Sequence, residues 1–314
     1  MPQNIIEKLR EESVTRLFEI NGFAQVWSTW QKIIRSHAKV PTAKQIIDLG
    51  DCLKEIFYST NSGRSQSEVS GGGANWEALV CWYLNICNIG RRTVCIKHND
   101  SLIPTPISNS ITVNYGNFKS NTESDLIAIT FPNKQDYIID KNEIAIKNQD
   151  GEPVVLQTPK GNYKFLDVLN ALTARDFSDI EIHIIQCKTN WNDNAQIPML
   201  WDMIYSSNSF QNNNISIGRE NFNMKNAKKF TYAFATVPTV KLEKIKQSSV
   251  CVSRVKNLSG GNFWGLPSQD GIANSIKEML NRNLSTGAER SHLETLSANI
   301  SEINEKGIFS YFNF

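Results

Sequence analysis

The segment Ile180 to Asn190, IEIHIIQCKTN, closes an apolar run with a glutamine and a lysine two residues apart. Side chains alternate along an extended strand, so Ile180, Ile182, Ile184, Gln186 and Lys188 share one face, and Glu181, His183, Ile185 and Cys187 the other. Gln186 and Lys188 therefore point the same way, at a strand end just before the polar turn TNWND, where a substrate can reach them. A solvated lysine ending a strand is the plainer alternative. Upstream, SNTESDLIAITF sets Asp125 immediately before a second apolar strand, either as a turn residue or as a carboxylate presented at a strand end. If the two strands pair, a carboxylate, an amide oxygen and an ammonium converge. That set suits a hard, oxygen-ligated cation such as Mg²⁺ beside an anionic phosphate. Glu77 is the third candidate. It lies in the first turn of the apolar helix WEALVCWYLNIC, where the helix dipole alone stabilises a carboxylate. Among Trp76, Cys81, Trp82 and Leu84, however, a carboxylate is costly to bury unpaired and should face a cation or a lysine.

Other chemistries find less support. GGGAN lacks the lysine and spacing of a phosphate-binding P-loop, and no GxGxxG follows a strand. The four histidines, His37, His98, His183 and His292, are far apart and form no HExxH or HxxxH pair, which disfavours zinc hydrolysis and HNH-type nuclease chemistry. His183 falls on the strand face opposite Lys188 and reads as a packed residue.

Periodicity gives the scaffold that carries these residues. Ile5 to Phe57 carries apolar residues at helical spacing and predicts three helices. The Ser/Gly-rich stretch Ser59 to Gly73 predicts a loop and the best internal boundary, with Asn75 capping the apolar helix after it. Beyond Gly90 the pattern changes to strands: around Val94 and Ile96, then Ile111 to Tyr115, Leu126 to Phe131, Tyr137 to Ile146, Ile180 to Lys188, Phe230 to Val237 and Val250 to Val255. Helices are expected at Phe165 to Leu172, Pro198 to Tyr205, Ile272 to Leu284 and Ala288 to Ile303. This order describes an α/β fold: a mixed central sheet flanked by helices, with an N-terminal helical region over residues 1–60 and a core over residues 61–314.

On the residues TESDLIAI and IEIHIIQCK, with the Glu77 helix before them, the chain resembles the PD-(D/E)XK nuclease superfamily, and its length and layout resemble a type II restriction endonuclease. The resemblance spans roughly Gly73 to Asn190. It implies a restriction-endonuclease-like core in which Asp125 is a metal ligand, Gln186 stands where the family has a second acidic ligand, Lys188 is the catalytic lysine, and Glu77 fills the helix position. Glutamine is an accepted variant there, but a neutral amide is the weaker ligand, and Glu77 restores the missing charge. The implied activity is Mg²⁺-dependent, sequence-specific cleavage of double-stranded DNA by a homodimer in a bacterial cytoplasm. A noncatalytic DNA-binding protein with a degenerate nuclease fold is the alternative, followed by a repair or defence nuclease of the same superfamily. The 61 residues from Asp125 to Gln186 exceed a short hairpin, so a segment from about Asn133 to Ser178 must leave and return between the paired strands.

Composition sets the outer bounds. The 314 residues are 40% hydrophobic and 20% charged, which excludes a disordered chain and a disulfide-stapled miniprotein. A net charge of +2 excludes a histone-like polycation. Basic residues are nevertheless concentrated: between Asn221 and Lys256, Lys225, Lys228, Lys229, Lys241, Lys244, Lys246, Arg254 and Lys256 stand against the single acid Glu243. These lysines suit phosphate contacts, or simply a solvated face, while Arg219 and the amides of QNNNISIGRENFNMKN suit base edges. Cys52, Cys81, Cys87, Cys95, Cys187 and Cys251 lack CxxC spacing and are expected to be reduced, intracellular thiols. The charged stretch Met1 to Glu12 is unlike a signal peptide, and the apolar run Ala78 to Leu84 is too short to cross a bilayer, so no membrane association is expected.

Overall fold

Apolar residues at helical spacing form three N-terminal helices: α1 (Ile5–Phe18), α2 (Asn21–His37) and α3 (Ala43–Tyr58). Asn4 caps α1 by accepting from Glu7 N, and Thr42 with Gln45 forms a reciprocal capping box on α3. The computed structural model describes residues 3–37, 41–60, 69–121, 124–189, 195–207, 214–237, 245–264, 271–305 and 307–313. Helix α4 (Val69–Cys87) comes next, then β1 (Thr93–Lys97), α5 (Thr105–Ile111), β2 (Thr112–Tyr115), β3 (Phe118–Asn121), β4 (Leu126–Thr130), α6 (Phe165–Arg175), β5 (Glu181–Lys188), α7 (Gln196–Ser206), β6 (Ile215–Ile217) and β7 (Lys229–Thr236). Helices α8 (Val250–Lys256), α9 (Ile276–Asn283) and α10 (His292–Asn304) complete the order.

The fold is α/β, with a mixed four-stranded sheet in the order β1-β4-β5-β7. β4 pairs antiparallel with both β1 and β5, whereas β5 and β7 run parallel, as strands joined by a long crossover can. A small antiparallel sheet, β3-β2-β6, lies apart from it. The alternation expected of Ile180 to Lys188 divides two apolar layers. Ile182 and Ile184 join Ile127, Ile129, Val94 and Ile96 on one face, under α1, α5 and α6. Ile185 and Cys187 join Leu126, Ala128 and Cys95 on the other, under α2, α3, α4, α9 and α10. The N-terminal helices thus share one core with α4 and the sheet. All six thiols are free, and no helix among the described residues is long and apolar enough to cross a membrane.

Three local expectations are corrected. Helix α4 begins at Val69 and runs through Gly71 to Gly73, so Asn75 is a buried residue within it rather than its cap. Once the apolar turns from Trp76 onward are packed, the helix propagates backwards at about 1 kcal/mol per glycine; residues 61–68 of the expected loop lie outside the described residues. The run Tyr137 to Ile146 is no strand but two single 3-10 turns, Gln135–Tyr137 and Lys141–Glu143, the second held by Asp140 accepting from Asn142 N. Its apolar residues pack from a loop: Tyr137, Ile144 and Ile146 are all buried under the sheet. Val250 to Val255 forms helix α8, in which Cys251, Val252 and Val255 are buried and Val250 is exposed, a spacing that short β-branched runs leave ambiguous.

The long segment between β4 and β5 is tied back where it returns: Asp176 accepts from Lys134 at 2.8 Å, from Arg175 at 2.6 Å and from Tyr137 Oη at 3.2 Å. At the β1 edge of the sheet Arg10 is fully buried, donating to the carbonyls of Thr93 and Arg91 at 2.8 Å each and pairing with Glu7 at 2.9 Å. These bonds fasten α1 to the start of β1. Replacing Arg10 with Leu should cost about 3 to 5 kcal/mol, because it strands two buried carbonyls and a carboxylate. Urea unfolding measures this; a loss under about 1 kcal/mol would show that water or a rearrangement satisfies those groups.

Candidate active site

The antiparallel order brings the end of β1, the start of β4 and the end of β5 to one edge of the sheet. His98 N donates to the Asp125 carbonyl at 3.0 Å, extending the β1–β4 ladder, and its Nδ1 lies 2.7 Å from Ser124 Oγ. Continuing the register from Leu126↔Ile185 sets Asp125 opposite Gln186. Asp125 Oδ2 accepts from Cys187 N at 2.7 Å, and Lys188 Nζ lies 3.4 Å from the same oxygen. Two residues 63 positions apart in the chain thus form one ion pair.

Glu77 reaches this edge from above, on α4. Its helical neighbours at i+4 and i+8, Cys81 and Asn85, face β1: Asn85 Nδ2 donates to Cys95 O at 2.7 Å and Cys95 N donates to Asn85 Oδ1 at 3.0 Å. This two-bond clamp fixes the helix along the strand, and two residues beyond Cys95 the strand ends at Lys97, whose ammonium donates to Glu77 Oε2. Lys97 is the site residue that sequence reasoning missed. Its signal was the need of a buried Glu77 for a cation, together with a lysine closing β1 as Lys188 closes β5.

Burial governs the electrostatics. The Glu77 and Asp125 side chains are 16% and 18% exposed. Desolvation pushes the Glu77 carboxyl above its ordinary range, Lys97 pulls it back, and the Asp125 charge pushes it up further. Desolvation likewise raises Asp125, opposed by Lys188 and by the Cys187 N–H. The Cys187 thiol, buried on the α4 face, is pushed well above its ordinary value by the same desolvation. Gln186 is fully buried and its Oε1 accepts from Tyr232 Oη at 3.3 Å.

Among the described residues no group of three or more His, Cys, Asp or Glu side chains is placed to hold a metal ion. The two carboxylates are oxygen donors of the hard type, and with water they suit Mg²⁺. The remaining sequence candidates lie elsewhere. Lys229 opens β7 opposite Glu181, the far end of β5 from Lys188, and Lys228 pairs with Glu181 at 2.9 Å. Lys225 lies in a 3-10 turn just before them, and Arg219, after β6, contacts Glu220 at 3.3 Å. Lys241, Lys244 and the turn after Thr189 lie outside the described residues. His183 is packed, with Nδ1 2.6 Å from Thr231 Oγ1. Neither the family models nor the curated proteins contain a match to this chain.

The raised carboxyls carry a pH signature. A carboxyl whose folded value exceeds its unfolded one contributes stability that is fully present below the unfolded value and is lost as pH rises through the folded value. Carbon-13 NMR titration of the side-chain carboxyls should therefore give midpoints for Glu77 and Asp125 above those of exposed acids. Midpoints at or below the exposed ones would mean that the lysines outweigh desolvation.

Proposed function

We propose that this chain is a Mg²⁺-dependent, sequence-specific endonuclease for double-stranded DNA, of the restriction type and with a PD-(D/E)XK-like active site. The observation that carries the proposal is the meeting of Asp125, Lys188 and Glu77 at one sheet edge, from a strand start, the next strand's end and a preceding helix. That is the arrangement the sequence resemblance implies, and the β4–β5 pairing supports it independently of any motif.

The chemistry is hydrolysis of a phosphodiester. A water oxygen bonds to phosphorus, the opposite ester P–O bond breaks, and the water's proton passes through solvent to the leaving oxygen. Asp125 and Glu77 would hold the cation, which on binding lowers the pKa of its water and polarises the phosphate. Lys188, anchored by Asp125, presents its ammonium where negative charge grows on the phosphate and orients the attacking water. The Cys187 N–H fixes the Asp125 carboxylate, so little reorganisation accompanies the reaction. Gln186 keeps its oxygen directed by Tyr232 and supplies a neutral acceptor in place of an acid.

DNA contacts extend the reading. Lys229, opposite Glu181, stands roughly 23 Å from Lys188 along β5, about seven base pairs of duplex, so DNA lying along the sheet would meet both ends. A homodimer would place two such sites on two strands of a symmetric target. The second reading, a DNA-binding protein that has lost cleavage, draws on Gln186, whose amide removes one acid from the site.

Incubating the chain with plasmid DNA tests the proposal. Mg²⁺ should give discrete fragments, EDTA should abolish them, and Asp125→Asn should lower cutting by at least about 10²-fold while the protein stays folded. Gln186→Glu should retain cutting. Retention of DNA binding with no Mg²⁺-dependent cutting in the wild type would favour the second reading, and cutting that persists in EDTA would contradict the metal chemistry.

A further inference from the structure

Two ammonium groups, not one, face the two carboxylates. Lys188 stands on Asp125 and Lys97 on Glu77, and each lysine also bears electrostatically on the other acid. The two cations arrive from opposite sides of the sheet. Lys97 follows the alternation of Cys95, which lies in the α4 layer, and Lys188 follows that of Ile184, which lies in the other. Neither backbone can move away cheaply: Lys97 is paired with Leu126 in the ladder, and Lys188 with Thr236.

Charge balance limits what the site can hold. Two carboxylates and two ammoniums sum to zero, in a place where side-chain exposure is 16% to 26%. One divalent cation brings the site to a net double positive charge, matched to a phosphodiester and the negative charge that develops on it. A second would double that excess, with no carboxylate among the four groups left without an ammonium, and in a half-buried site such repulsion is poorly screened. A single ion needs only the two acids and water, and it can share Asp125 with Lys188, whose 3.4 Å contact is a loose one.

We infer that Lys97 stands in for a second metal ion by holding Glu77, so that the centre binds one divalent cation per chain. This rests on the proposed nuclease site. Lys97 is a positioning residue for Glu77, and its effect is read in metal binding before any turnover.

Mn²⁺ titration of the full chain without DNA, by calorimetry with bound ions counted by electron paramagnetic resonance, tests it. The wild type should bind one Mn²⁺ per chain. Lys97→Met, which keeps the stem and removes the charge, should bind a second ion or tighten the first by about tenfold or more, because Glu77 is uncovered. Lys97→Arg should stay at one ion. If Lys97→Met fails to fold by circular dichroism, Lys97→Gln carries the same expectation. Two ions on the wild type, or Lys97→Met binding as the wild type does, would overturn the inference while leaving metal-dependent plasmid cutting intact. No ion on the wild type would overturn it as well, and would overturn the nuclease proposal too if the plasmid is also uncut.

Discussion

The antiparallel pairing of β4 with β5 is the constraint on which the site depends, because its register decides what Asp125 meets. With Leu126 opposite Ile185, the Asp125 carboxylate falls on the Cys187 N–H and beside the Lys188 ammonium. A slip of one residue would turn the isoleucines of the shifted strand out of their layer, and the same slip would separate Asp125 from Lys188. The apolar layers therefore specify the polar site. Ile127 and Ile184 on one face, and Leu126 and Ile185 on the other, hold the register in which the charged strand ends coincide.

The second support is the seating of α4. The helix is apolar almost all round, so hydrophobic burial alone leaves its position along β1 loosely defined. Asn85 removes that freedom, since a buried amide must find partners and finds them in both backbone groups of Cys95. Its clamp delivers Glu77 to Lys97, and desolvation then sets the balance among the four charges. Burial raises both acids, and the lysines oppose that rise.

Much of this was legible in the residues. The alternation of Ile180 to Lys188 predicted the strand and its two faces, and Asp125 was placed at a strand start that the structure pairs with that strand. Lys97 was legible only as a need of Glu77 for some cation, because which lysine answers it depends on where a helix and a strand meet, and that position is set by Asn85 rather than by any local spacing. Val250 to Val255 misled because a β-branched run fits a strand and a half-buried helix equally well. Tyr137 to Ile146 misled because buried side chains in a packed loop imitate an apolar strand. Glycines at 71 to 73 masked the first turns of α4, whose helical state is imposed by the apolar turns C-terminal to them. The basic stretch was legible as charge but not as place: Lys228 and Lys229 proved to sit at the opposite sheet end from Lys188.

The central claim is that Lys188 acts in the chemical step on a DNA phosphate. Single-turnover cleavage and equilibrium binding of the same duplex, measured for the wild type and for Lys188→Ala, test it most directly. An interaction made mainly in the transition state contributes little to ground-state affinity. The account predicts binding within a few-fold of the wild type, with cleavage slower by about 10²- to 10³-fold. Cleavage by Lys188→Ala at the wild-type rate would contradict it, and would remove this end of the sheet as the place where the phosphate reacts.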